Sequence, residues 1–188
     1  MTRKVVVAVD GDTPQAVALL EWVAKNLTLR GLPRPAAKAD ACDAVVAEET
    51  GSTSGTSAPP PDDVGVTILH AMLPSQVPDW GFFPLYQADK LWAAVLAEDQ
   101  RRAAAAATAL RDHATRLHLP AKVVTLAGDP RSVVAEFVDA AKADLLVVGS
   151  RGLSGIRKLL LGSVSSYLVS HVECSVVVYR PAKEEDNA

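Results

Sequence analysis

Asp144-Leu145-Leu146-Val147-Val148-Gly149-Ser150-Arg151-Gly152, continued through Gly162-Ser163 to Ser175-Val176-Val177-Val178-Tyr179, is the stretch on which the reading of the chain turns. Leu145 to Val148 is an unbroken apolar run, the pattern of a strand buried on both faces. The glycines after it supply a backbone that turns sharply and presents its N–H groups. Val164, Leu168 and Val172 then recur at helical spacing, so Gly162-Ser163 falls at a helix start, where unpaired N–H groups and the dipole favour an anion. Such a strand-to-helix junction predicts a phosphate cradle. Two better-known phosphate loops are excluded by the same residues. A P-loop requires Lys immediately before its Ser or Thr, and here Gly162 precedes Ser163. A dinucleotide fingerprint requires G-x-G-x-x-G, and Arg151 stands where its second glycine belongs. What remains is a mononucleotide cradle.

Working outward, Val5 to Val9 reads as a second fully buried strand that ends at Asp10-Gly11-Asp12. Thr13 as N-cap and Pro14 at the first helical position open a helix whose stripe is Val17, Leu20, Ala24 and Leu27, reaching about Arg30. Val66 to Met72 is the next strand, and Val123 to Leu126 the one after. Asp129-Pro130 then caps and starts a short helix carrying Val133, Val134, Phe137, Val138 and Ala141, so Asp129 reads as a cap and not a catalyst. Between the last two strands named, Gln87 to about Leu117 keeps an apolar register through Leu91, Val95, Ala103, Ala107, Leu110 and Ala114. At 1.5 Å per residue that helix spans ~45 Å against ~20 Å for a strand, so its first turns overhang the sheet. Strands alternate with helices throughout, which predicts an α/β sandwich around a parallel sheet.

With 188 residues and 49% hydrophobic content, the chain can bury one sizeable core. A single domain over 1–182 is expected, with a disordered tail at 183–188. From Leu32 to Asp63 the composition shifts to Pro33, Pro35, a Gly-Ser-Thr run and Pro59-Pro60-Pro61, which builds no core and predicts a disordered insertion. The net charge of −3 leaves no basic face for nucleic acid. Arg151, Arg157 and Lys158 form a cluster too small for a duplex, readable as a solvated loop or as a partner for a triphosphate. Val5 to Val9 is too short for a signal core or a membrane span, so a cytoplasmic protein without a membrane partner is expected. Cys42 and Cys174 lie in unlike contexts and predict neither a disulfide framework nor a zinc site. His70 reads as a hydrogen-bonded structural histidine. The loop Leu73 to Tyr86, with Trp80, Phe82 and Phe83, reads as a cap over the sheet edge or as a lid or partner patch.

The spacing Gly149-x2-Gly152-x9-Gly162-Ser163 is similar to the nucleotide signature of the universal stress protein family, specifically its ATP-binding branch. The likeness extends from Val5-Val6-Val7-Ala8-Val9-Asp10 to Ser175-Val176-Val177-Val178-Tyr179, the insertion excepted. It implies a five-stranded parallel sheet between helices, Rossmann-like and of the adenine nucleotide alpha hydrolase-like kind, in strand order 3-2-1-4-5. That order puts Asp10 and Gly149 on one crevice, where open α/β sheets bind ligands. Asp10 alone is as readable as a turn former; the resemblance implies an adenosine contact for it, with Ala8 beside it and Ala71 bordering the adenine. Ala8 stands where the family has proline. Met72 and Val148 supply further apolar wall. Phosphate would meet the backbone of Gly152 and of Gly162 to Val164, together with the Ser163 and Ser165 hydroxyls. Arg151 would neutralise charge at the rim, and Ser163 would be the ligand for any Mg²⁺ carried on the phosphates. The implied function is ATP binding as a regulatory switch in a stress response, in a homodimer paired through Ser175 to Tyr179. The competing readings are a slow ATPase on the same site and a nucleotide-independent dimeric module. Hydrolysis lacks a positioned base, since the Gly149 to Ser163 loop holds no Glu or Gln.

Overall fold

The computed structural model describes residues 3–11, 13–27, 65–75, 85–150 and 161–181, with the backbone alone for 85–89. The insertion, the tail, the aromatic residues 80–83 and the basic residues 151, 157 and 158 lie outside the described residues. Five strands, β1 (Val5–Val9), β2 (Val66–Met72), β3 (Ala121–Ala127), β4 (Leu145–Gly149) and β5 (Ser175–Tyr179), form one sheet in the order β3-β2-β1-β4-β5. All pairings are parallel, with Val5 opposite both Val66 and Leu145 and with Leu145 opposite Ser175. This is the order and the class that the resemblance implied.

Four helices cover the two faces: α1 (Pro14–Asn26), α2 (Leu85–Arg116), α3 (Pro130–Ala141) and α4 (Ser163–His171). Alternate residues of a strand face opposite ways, and the two cores divide accordingly. Val5, Val7, Ile68, Val123 and Val147 pack with Leu20, Val23 and Leu110 of α1 and α2. Val6, Leu69, Val124, Leu146 and Val148 pack with Phe137, Val138 and Leu168 of α3 and α4. Each fully buried leucine or valine contributes ~1.5–3 kcal/mol by leaving water.

Thr13 caps α1, its Oγ1 accepting the Ala16 N–H at 3.1 Å, and Pro14 follows as expected. The buried stripe is Ala16, Leu19, Leu20 and Val23, one step round from the expected Val17, Leu20 and Ala24. Ala16-Val17-Ala18-Leu19-Leu20 is apolar at every position, so periodicity fixed the helix but not its phase. The helix closes earlier than expected, at Asn26, where the Leu27 N–H bonds to the Val23 carbonyl. Asp129 caps α3 by accepting the Arg131 N–H at 3.0 Å, the role read from sequence.

The long helix α2 begins two residues earlier than expected. Its later turns lie on the sheet through Ala103, Ala107, Leu110 and Ala114, all buried. Its 32 residues span ~48 Å, against ~24 Å for a seven-residue strand. The overhang is visible in Leu91, Trp92 and Leu96, which are exposed. Where α2 leaves the sheet stands Asp99, buried although charged.

Candidate functional site

Strand order reverses between β1 and β4, and the chain leaves their carboxyl ends in opposite directions. A cavity of about 360 Å³ lies there, within the usual ~300–1,000 Å³ of small-molecule sites. Ala8 and Asp10 at the end of β1, Ala71 of β2, and Val148 and Gly149 of β4 line it. Gly162, Ser163, Val164 and Ser165 at the start of α4 close it from the other side. Thus the expected site residues among the described ones line the cavity with the exception of Met72, expected as apolar wall, and the two segments 139 positions apart that were read separately do meet there. Arg151 and Gly152 lie outside the described residues.

Asp10 gives the cavity its charge. One carboxylate oxygen, Oδ1, accepts from the Thr13 hydroxyl at 2.9 Å. The other, Oδ2, is buried and has no partner among the described residues. A buried acceptor left unmade costs about 1–3 kcal/mol, more for a charged group. Beside it Gly11 adopts φ +105°, a conformation that a side chain resists, and turns the chain over the His70 ring. His70 is buried with Nδ1 3.4 Å from the Val9 carbonyl oxygen, the structural role expected of it. Burial pushes its pKa below the ordinary value; the Val9 carbonyl and the Asp10 charge oppose that shift.

At the far wall, Gly162 is the N-cap of α4 and supplies no side-chain cap. The N–H groups of Ser163, Val164 and Ser165 are the first of the helix, those an α-helix leaves without an internal partner. Gly162 needs no special backbone conformation, and two sequence expectations are corrected here. Gly162 has φ −62° and ψ 155°, extended backbone open to any residue, so conformational strain is not its reason for being glycine. Its own N–H, expected to meet phosphate, donates to the Ser150 carbonyl at 2.8 Å. The Ser165 hydroxyl, expected as a free donor, is buried and donates to the Gly162 carbonyl at 3.1 Å. Ser163 remains exposed at the mouth.

Sequence reasoning missed several further residues lining the cavity, Val9 of β1 among them. Gln15, Ala16 and Leu19 of α1, Pro130 and Val134 of α3, and Leu73 just beyond β2 all line it. Pro130 and Val134 were legible only as helix residues, because nothing local reports that the start of α3 sits at the same sheet edge. Among the described residues, no group of three or more His, Cys, Asp or Glu side chains forms a metal site, and no helix is long and apolar enough to cross a membrane.

A family model described as "Universal stress protein family" matches residues 61–180. The universal stress protein A-like protein of Arabidopsis thaliana is 41% identical over 58 residues, which is 31% of this chain and 33% of that relative's length. The matched stretch therefore spans about a third of that relative. Universal stress protein UspA from Lactobacillus plantarum has the same fold, with a TM-score of 0.57 at 18% identity over 95% of this chain and 98% of that one. So does a universal stress protein family protein of Arabidopsis thaliana solved with AMP bound, with a TM-score of 0.52 at 18% identity over 97% and 94% of the two chains. The family model covers most of the chain, and the strand order and crevice agree with it: the chain belongs to the universal stress protein family.

Proposed function

We propose that the chain binds an adenine nucleotide, ATP before others, in the crevice between β1 and β4, and that the nucleotide acts as a switch ligand. The single observation that carries this reading is Asp10, whose Oδ2 is a buried acceptor without a partner among the described residues, at the cavity that the start of α4 also lines. A nucleoside offers donors to such an oxygen through its ribose hydroxyls or base amine, and a phosphate offers the negative charge that a helix start favours. Ala8, Ala71 and Val148 supply a low apolar wall on which a base can lie. Phosphates would meet the Ser163 and Val164 amides and the Ser163 hydroxyl, with Arg151 and Gly152 completing the cradle. Mg²⁺, if carried on the phosphates, would take Ser163 as its protein ligand. The AMP held by the Arabidopsis neighbour of the same fold supports an adenine nucleotide as the class.

Hydrolysis is at most slow in this reading. Asp10 is the sole carboxylate among the described lining residues, and this reading assigns it to the nucleoside side. The switch would act on a homodimer in the cytoplasm, paired through β5. Mass spectrometry of nucleotide released from protein purified without added ligand, followed by calorimetry with ATP, ADP and AMP, tests the reading. Adenine nucleotide in the released fraction and saturable binding are expected. No binding of any of the three at millimolar concentration overturns it.

A further inference from the structure

We infer that Leu73 is a base-contacting wall of the crevice and that Asp99 of α2 is the residue that positions it; the inference rests on the adenine-nucleotide reading above. Leu73 lines the cavity while 65% exposed. A single exposed leucine is ordinary. This one is held from both sides. Behind it, the Met72 carbonyl accepts the Gly128 N–H at 2.9 Å, fixing the end of β2. Ahead of it, Ser75 is bound twice by Asp99, through its N–H to Oδ2 at 2.8 Å and through its hydroxyl to Oδ1 at 2.7 Å. Between the two anchors stands Pro74, which restricts the residue before it to extended backbone. An extended chain sends residues two apart to the same side, so Leu73 continues the line of Ala71 from the floor of the crevice to its mouth. The fold spends a buried carboxylate on this segment, where an apolar residue would have continued the stripe of Ala103, Ala107 and Leu110.

Arg102 also bonds Asp99 and the Ser75 hydroxyl, so the carboxylate is paired as well as hydrogen-bonded. The Ser75 amide and hydroxyl, with Arg102 after them, hold the Asp99 carboxyl below its usual range. The clamp is therefore ionised and closed at neutral pH. Covering Leu73 with a purine removes apolar surface from water on both partners, and that gain is available only while Ser75 stays in place.

The test is calorimetry with AMP and ATP on the full chain and on Leu73→Ala, Asp99→Ala, Asp99→Asn and the Leu73→Ala/Asp99→Ala pair, with thermal melts of each. Leu73→Ala is expected to weaken AMP and ATP by the same factor, about five- to tenfold, because it acts on the base and not on the phosphates. Asp99→Ala is expected to weaken both by a similar factor, and the double variant by no more than Leu73→Ala alone. Asp99→Asn, which keeps an acceptor for the Ser75 amide, is expected to restore most of the binding. Equal binding by Leu73→Ala and the unaltered chain overturns the base contact. Losses that multiply in the double variant, or a lowered melting point with unchanged binding in Asp99→Ala, reduce Asp99 to a structural residue and overturn its positioning role. If the unaltered chain binds no nucleotide, the reading of the crevice fails first and this inference falls with it.

Discussion

With φ at −62°, Gly162 has no conformational reason to be glycine, and the expected close approach to phosphate is what remains to test. Gly162→Val therefore leaves the backbone unstrained and tests only whether a side chain fits between α4 and a phosphate. We expect ATP binding to weaken more than tenfold, which takes only about 1.4 kcal/mol, with an unchanged circular dichroism spectrum. Ser163→Ala should cost less, since it keeps the helix amides. Normal folding with unchanged ATP affinity by calorimetry would make the glycine spacing structural. His70 gives a second residue-scale expectation. Its folded pKa lies below 6.5, so the unfolded chain takes up the proton more readily. The stability it contributes is complete above 6.5 and is lost as pH falls below that value towards the folded pKa. His70→Gln, which cannot titrate, should show a shallower fall in melting temperature between about pH 7 and pH 5; parallel curves would refute this.

Strands β1 and β4 were legible because a strand buried on both faces announces itself as an apolar run, as Val5 to Val9 and Leu145 to Val148 did. Helix phase was not legible, because α1 carries five consecutive apolar residues from Ala16 to Leu20. Nor was the Ser75–Asp99 pairing, which joins residues 24 apart through side chains common in any loop or helix. Pairing direction in β5 is likewise visible only in the structure. The Tyr179 carbonyl accepts the Ser150 N–H at 2.7 Å, so Tyr179 bonds inward; N–H and C=O directions alternate along a strand, so Val177 bonds inward as well. Val176 and Val178 then present their backbone groups to the open edge, an aggregation liability if left bare. In the proposed homodimer, Val178→Pro removes an edge donor and should shift the mass by light scattering from dimer to monomer. Val177→Pro should instead break the inner ladder and lower stability. A monomer from the unaltered chain would refute pairing through this edge.

On the scale of the whole molecule, the two ends that flank the insertion are fixed by the sheet and by α1. The Gly65 carbonyl accepts the Val5 N–H at 2.8 Å, so β2 is docked from its first residue, and α1 is already closed at Leu27. Loop-closure entropy rises slowly with length, each doubling costing only ~0.6 kcal/mol. Replacing Leu32 to Asp63 by a short Gly-Ser linker should leave the melting temperature within a few degrees. Collapse of the soluble yield would show that a structural element had been mistaken for a spacer. The same view sets α2 apart from the other helices, as the one element that is anchored at the sheet and continues well past it. In mechanical terms it is a lever with its fulcrum at Asp99. From there to Leu85 the arm is ~21 Å long, so each degree of tilt at the fulcrum moves the tip by ~0.4 Å, and a rotation too small to alter the cavity by an atom's width would still be felt at the far end.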